Sequence, residues 1–156
     1  MSLDPRAPLD PRSVRRAVGQ AVAERSRTPL GRLEVVPRSG STSSDLAAAV
    51  RGHGPDQGAG TAVTSGSWPD RSVLVADHQV AGRGRAGRTW TTPPGAALTF
   101  SVLCRPDVPT DRLAWVPLLG GLAVVQALAD LTEVRPVLKW PNDVLVPAAQ
   151  EVPGWG

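Results

Sequence analysis

Apolar and polar positions divide the chain into short elements of two different periods. Over residues 13–27 the apolar side chains Val14, Ala17, Val18, Ala21 and Val22 recur at helical spacing, and Pro29 and Gly31 close that helix. Residues 33–36 read as a strand broken by Pro37. A polar turn over residues 39–44 leads into an Ala-rich helix over 43–51, with Thr42 and Asp45, three positions apart, as its capping signature. Residues 61–64 and 72–76 are strand candidates. The second is stronger, being a β-branched apolar run with polar flanks. Residues 52–60 and 66–71 read as loops, and 78–92 as a Gly/Arg loop without apolar periodicity. Residues 96–104 read as a buried strand. A long apolar helix is predicted over 113–131, with Gly120 and Gly121 allowing a neighbouring element to approach closely. Two further strands, 137–140 and 144–146, flank a turn at Pro141, Asn142 and Asp143. Helices and strands mix without strict alternation and hairpin-like pairs occur, so the expected fold class is α+β, a mixed sheet packed against helices.

Composition changes this picture only at the margins. At 156 residues and 41% hydrophobic, the chain has the size and apolar content of one globular domain. Gly and Pro number 16 each, which forecasts extensive loops. Residues 1–12, with three prolines and alternating charges, read as a mobile arm, and residues 147–156 carry no core pattern. The net charge of +3 permits nucleic-acid binding without demanding it. Of 17 basic residues only Lys139 is a lysine, which singles it out. The one cysteine, Cys104, lies in an apolar run and reads as a buried, inert thiol. The N-terminus has no apolar signal core, and no segment is expected to approach membrane-spanning length, so a cytoplasmic location is expected.

Three segments have the residue types for chemistry. The run from His78 to Trp90 carries Gly82, Gly84 and Gly87, which let the backbone approach a ligand, and Arg83, Arg85 and Arg88, whose planar donor forks suit phosphate. A solvated loop, or a grip on a nucleic-acid backbone, fits that composition too; Trp90 is the only aromatic platform there. Lys139, Trp140, Pro141, Asn142 and Asp143 suit a triphosphate with its metal, the lysine neutralising phosphate and the carboxylate holding Mg²⁺; an ordinary β-turn is the plainer reading. Gly40, Ser41, Thr42, Ser43 and Ser44 place hydroxyls at a helix N-terminus, where they can bind a polar head group or simply cap the helix.

In order, Gly-Ser-Thr, then Ala-Asp-His-Gln-x-Ala-Gly-Arg-Gly-Arg-x-Gly-Arg-x-Trp, then Lys-Trp-Pro-Asn-Asp resemble the catalytic domain of the biotin–protein ligase family, from about Val35 to Val146. The resemblance implies ATP-dependent activation of biotin, with Mg²⁺, to biotinyl-5'-adenylate, and transfer to a lysine of the biotin carboxyl carrier domain of an acyl-CoA carboxylase. Carried over by motif position, Ser41, Thr42 and Gln79 would bind the biotin head group, and Gly82 and Arg83 would line the site. Arg85 would contact the adenylate phosphate, Arg88 would join it on the nucleotide, and Trp90 would cover the adenine side. Lys139 would face phosphate, Asn142 would hold the nucleotide and Asp143 would support the metal. Arg85, Lys139 and Asp143 are thus the expected catalytic group.

The resemblance also sets expectations for domain organisation. Residues 1–38 would be an arm, helix and first strand, too short for the winged-helix module of the repressor-type members, so specific DNA binding is not expected. Residues 39–146 would be a partial catalytic domain and 147–156 a tail. The family's later Lys-x-Ala-Gly-Ile-Leu strand and C-terminal β-barrel have no counterpart in the sequence, which leads us to expect weak biotin binding, little adenylate formation, and sheet edges and apolar faces left exposed. A ligase for another acyl cofactor such as lipoate, and a Gly/Arg nucleic-acid-binding protein, remain the alternatives.

Overall fold

The computed structural model describes residues 8–25, 29–52, 63–64, 66–84 and 87–147. The chain divides into two compact units, Met1–Arg105 and Pro106–Gly156, a division that falls inside the segment read from the sequence as one catalytic domain.

In the first unit, α1 (Pro11–Arg25) starts two residues before its predicted position. Asp10 precedes it, its carboxylate accepting the Ser13 hydroxyl (2.5 Å) and the Ser13 and Arg12 amides (3.0 and 3.2 Å). Pro11 then sits where a missing amide proton costs nothing. The expected helical stripe is half-buried at Val14, Val18 and Val22, while Ala17 and Ala21 are exposed. The end predicted at residue 27 lies outside the described residues.

Strand β1 (Leu33–Ser39) runs through Pro37 rather than stopping there. It is the outer strand of a three-stranded sheet, and an edge position tolerates a residue with no donor. The polypeptide turns into α2 (Thr42–Val50) and returns as β2 (Val73–Gln79), parallel to β1 with Leu33 opposite Val73 and Ser39 opposite Gln79. A helix between parallel neighbours is the usual crossover. Strand β2 continues three residues beyond its apolar run, so His78 and Gln79 are strand residues and not part of a loop. Within the Gly/Arg segment, β3 (Gly82–Arg83) pairs antiparallel with β4 (Thr89–Trp90). Of the strand expected at 61–64, Val63 and Thr64 are described and have no regular structure. Val63 is buried in the core, and Thr64 is held by Glu34, which accepts its amide (2.6 Å) and hydroxyl (2.8 Å).

Strand β5 (Thr99–Val102) pairs antiparallel with β2, completing the order β1-β2-β5. It is shorter than expected and not buried on both faces. Thr99, Ser101 and Leu103 are half-buried, whereas Phe100, Val102 and Cys104 are exposed. The expectation of a buried thiol is therefore wrong: Cys104 falls on the outward parity of a period-two strand. Val36, Leu46, Val63, Trp68, Leu74 and Ala76 form the core between the sheet and α2. Fully burying a side chain of the Val or Leu class stabilises by about 1.5–3 kcal/mol.

In the second unit a 3-10 turn (Thr110–Trp115) precedes α3 (Val116–Leu131), with Pro117 in the first helical turn. The whole run Thr110–Leu131 is 22 residues and apolar enough to cross a membrane by length and composition, contrary to the expectation of no such segment. Its α-helical part has 16 residues, about 24 Å at 1.5 Å per residue. That is short of the roughly 30 Å of a bilayer core. Strands β6 (Val137–Lys139) and β7 (Asp143–Leu145) form an antiparallel hairpin in which Lys139 is opposite Asp143. Gly121 is where α3 meets this hairpin: an added Cβ would stand 2.6 Å from a methyl of Leu138. The predicted role of a glycine here holds for Gly121, while Gly120 has nothing within 4 Å. Leu113, Leu119, Leu122 and Leu145 are among the large apolar side chains left exposed.

Candidate active site

Parallel β1 and β2 end side by side, and both the loop into α2 and the chain leaving β2 lie at that carboxyl edge. Sheets with parallel strands bind ligands in this position because loops there are free of the ladder and a helix N-terminus faces them. The two exits are stitched together: Val80 donates its amide to the Ser39 carbonyl (3.0 Å) and Ala81 to the Gly40 carbonyl (2.8 Å).

Ser41 is the N-cap of α2 and Thr42 its first residue, so the capping position predicted at Thr42 is one residue late. The Ser41 hydroxyl makes no capping bond and instead lies 3.2 Å from the Ser43 hydroxyl. Asp45 reaches back outside the helix to accept the Ser39 hydroxyl (2.5 Å) and the Gly40 amide (3.2 Å). This buried carboxylate fixes the turn carrying Ser41 and Thr42, and sequence reasoning credited it with capping alone.

Thr42 and Gln79 form the centre of the site. The Oε1 atom of Gln79 accepts the Thr42 amide (2.9 Å) and the Thr42 hydroxyl (3.3 Å). An amide that has no helical carbonyl to bond is thereby satisfied by a side chain from the neighbouring strand. On its other side the Thr42 hydroxyl lies 2.8 Å from the hydroxyl of Ser101 on β5, a residue that sequence reasoning missed. Nothing in the pattern marks Ser101 apart from a small polar residue on the inward parity of a strand.

Gly82 is buried beside this pair. A Cβ there would stand 2.4 Å from Gln79 Nε2 and 2.6 Å from the Trp90 carbonyl oxygen. The hairpin of β3 and β4 thus lies directly against the Gln79 carboxamide, which only glycine permits. Arg83, Arg88 and Trp90 are exposed on that hairpin, Trp90 at 63%. Arg85 lies outside the described residues. The first unit therefore brings together Ser41, Thr42, Gln79 and Gly82, with Arg83 and Trp90 on the adjoining hairpin.

Lys139, Asn142 and Asp143 belong to the second unit. All three are exposed, at the tip of its hairpin. Lys139 and Asp143 are direct cross-strand partners, which sets one cation and one carboxylate on the same face. Among the described residues no group of three or more His, Cys, Asp or Glu is arranged to hold a metal. A lone carboxylate still suits Mg²⁺, an ion bound mostly by substrate phosphates and water with one or two carboxylates.

Comparison with known proteins identifies the family. Residues 59–152 match the Biotin/lipoate A/B protein ligase family. The chain is 41% identical over 145 residues to a biotin–[acetyl-CoA-carboxylase] ligase of Mycobacterium tuberculosis, covering 90% of this chain and 47% of that protein. It is 38% identical over 78 residues to the bifunctional ligase/repressor BirA of Bacillus subtilis, covering 50% of this chain and 24% of that protein. Among solved structures, the biotin protein ligase from Aquifex aeolicus in complex with biotin and ATP aligns with a TM-score of 0.54 and 33% identity, over 74% of this chain and 41% of that one. The chain thus spans less than half the length of each of these relatives. From the matched family and the α+β framework that carries the site, we conclude that the chain belongs to the Biotin/lipoate A/B protein ligase family.

Proposed function

We propose that the chain carries the biotin-recognising and nucleotide-binding part of a biotin–protein ligase, a protein that activates biotin with ATP and transfers it to a carrier lysine. The observation that carries this reading is the Thr42–Gln79 pair set beside Gly82 at the carboxyl edge of the parallel strands. It offers a hydroxyl and a carboxamide within a small space, suited to a compact polar ring rather than an extended anion. Ser41 adds a hydroxyl that is not used for capping. The relatives favour biotin over lipoate, since the two curated relatives above are named as biotin ligases or as the BirA ligase/repressor, and the solved one holds biotin and ATP.

In the reaction, a carboxylate oxygen of biotin attacks the α-phosphorus of ATP, and the bond to the departing pyrophosphate breaks. Negative charge gathers at that phosphorus, so cationic donors directed at it lower the barrier. Arg85 and Arg88 from the glycine-spaced segment and Lys139 from the second hairpin are assigned to phosphate. Trp90 is assigned to the adenine side and Asn142 to the nucleotide. Asp143 would hold Mg²⁺, which when bound supplies charge neutralisation on the phosphates. In the second step the amine of a lysine, on the biotin carboxyl carrier domain of an acyl-CoA carboxylase, attacks the acyl carbonyl and AMP leaves. Ser41, Thr42 and Gln79 hold the biotin head group through both steps, and Gly82 and Arg83 line the site around it. A cytoplasmic location and the absence of sequence-specific DNA recognition accompany this reading as proposals.

Mass spectrometry of the chain incubated with biotin, ATP and Mg²⁺ tests it. Biotinyl-5'-AMP is expected in small amount at most, and only when all three are present. Retained biotin binding without adenylate restricts the chain to the recognition step; loss of both overturns the proposal.

A further inference from the structure

We propose that Ser101 is a positioning residue for biotin recognition, acting through Thr42 to fix which end of the Gln79 carboxamide faces a ligand; this rests on the biotin reading above. The argument is an inventory of protons. Gln79 Oε1 has none to give, so it accepts both the Thr42 amide and the Thr42 hydroxyl. The Thr42 hydroxyl has one proton, which goes to Gln79. Its 2.8 Å contact with the Ser101 hydroxyl therefore has Ser101 donating. A row of bonds results, running in one direction from Ser101 through Thr42 to Gln79.

Such a row sets polarity as well as position. A carboxamide flips by exchanging its oxygen and nitrogen, a change of little steric consequence. Flipped, Gln79 would present its NH2 group to the Thr42 amide, donor against donor. With the row intact, Oε1 faces α2 and Nε2 faces Gly82, so the side chain offers donors to whatever the site receives. Without Ser101 the Thr42 hydroxyl is free to rotate, and the carboxamide is held by the backbone amide alone. The strand position itself argues for a purpose: β5 would gain from a β-branched side chain, and a half-buried serine there gives that up.

The test uses the whole chain with Ser101→Ala and Ser101→Thr, the second retaining the hydroxyl. Without biotin, the Gln79 side-chain NH2 signals and the Thr42 amide exchange rate are read by ¹⁵N NMR. Ser101→Ala should move the Gln79 signals and speed Thr42 exchange, while Ser101→Thr keeps both near the parent. Biotin titration should then show Ser101→Ala weakened about three- to tenfold, the effect of one net hydrogen bond, and Ser101→Thr within about twofold. Unmoved Gln79 signals and unchanged affinity in Ser101→Ala overturn the proposal, as does an equal loss in both variants, which would mean packing alone. If the Gln79 signals move as expected but the parent chain binds no biotin, the row of bonds stands and the biotin reading is what fails.

Discussion

Gln79 has two jobs that substitution can separate. As an acceptor it satisfies Thr42, and as a donor it is assigned to biotin. Gln79→Glu keeps an acceptor in place and removes the donor, so thermal unfolding should stay near the parent while biotin affinity falls about tenfold, measured by calorimetric titration. Gly82→Ala acts through crowding. Its Cβ would meet both the Gln79 amide and the Trp90 backbone oxygen, and the latter cannot swing aside. Biotin affinity should drop by about tenfold or more even where the fold survives. Asp45→Ala removes the acceptor for Ser39 and Gly40 and should cost about 1–3 kcal/mol in denaturant unfolding. At this scale the sequence was informative about residue types and less so about their partners. Gln79, Thr42 and Gly82 stand out because motif spacing names them. Ser101 and the reach of Asp45 depend on which elements meet in space, and spacing along the chain carries no trace of that.

Elements are where apolar pattern reading succeeded and failed for identifiable reasons. Helix α1 shows its stripe at Val14, Val18 and Val22, yet its start was missed because Asp10 and Pro11 look like part of a Pro-rich arm. Together they are a capping residue and a first-turn proline. Strand β2 extends through Asp77, His78 and Gln79 because pairing with β1 continues by backbone bonds, which polar side chains do not betray. Cys104 was misplaced because an apolar run was read as two-faced burial when its alternation was the better guide. Two predictions belong here. The Ser13 hydroxyl, with the Arg12 and Ser13 amides, holds the Asp10 carboxyl below its ordinary value. The folded state thus favours the ionised form, so this contribution is present above the ordinary aspartate value and lost as pH falls below it, through the lowered folded value. Circular dichroism should show helix fraying on acidification below about pH 4, and less pH dependence in Asp10→Asn. At the turn before β1, a Cβ on Gly31 would meet the Asp70 backbone oxygen at 2.3 Å. Gly31→Ala should therefore cost about 1–3 kcal/mol in denaturant unfolding.

For the whole molecule, the two compact units divide the assigned chemistry between them. The first holds the residues assigned to biotin together with Arg85, Arg88 and Trp90, assigned to phosphate and adenine, and the second holds Lys139, Asn142 and Asp143, assigned to nucleotide and metal. The expected α+β class is what the mixed sheet shows, and the motif resemblance agrees with the matched family. Apolar side chains are exposed at Phe100 and Val102 on β5, which the sequence reads as a buried strand, and at Leu119 and Leu122 on α3. The central claim is that the edge formed by Thr42, Gln79 and Gly82 recognises biotin. Equilibrium titration of biotin into the chain, repeated with lipoate as competitor, tests it most directly. The account predicts saturable binding of one biotin that lipoate at the same concentration does not displace. Absence of binding, or equal displacement by lipoate, would contradict it.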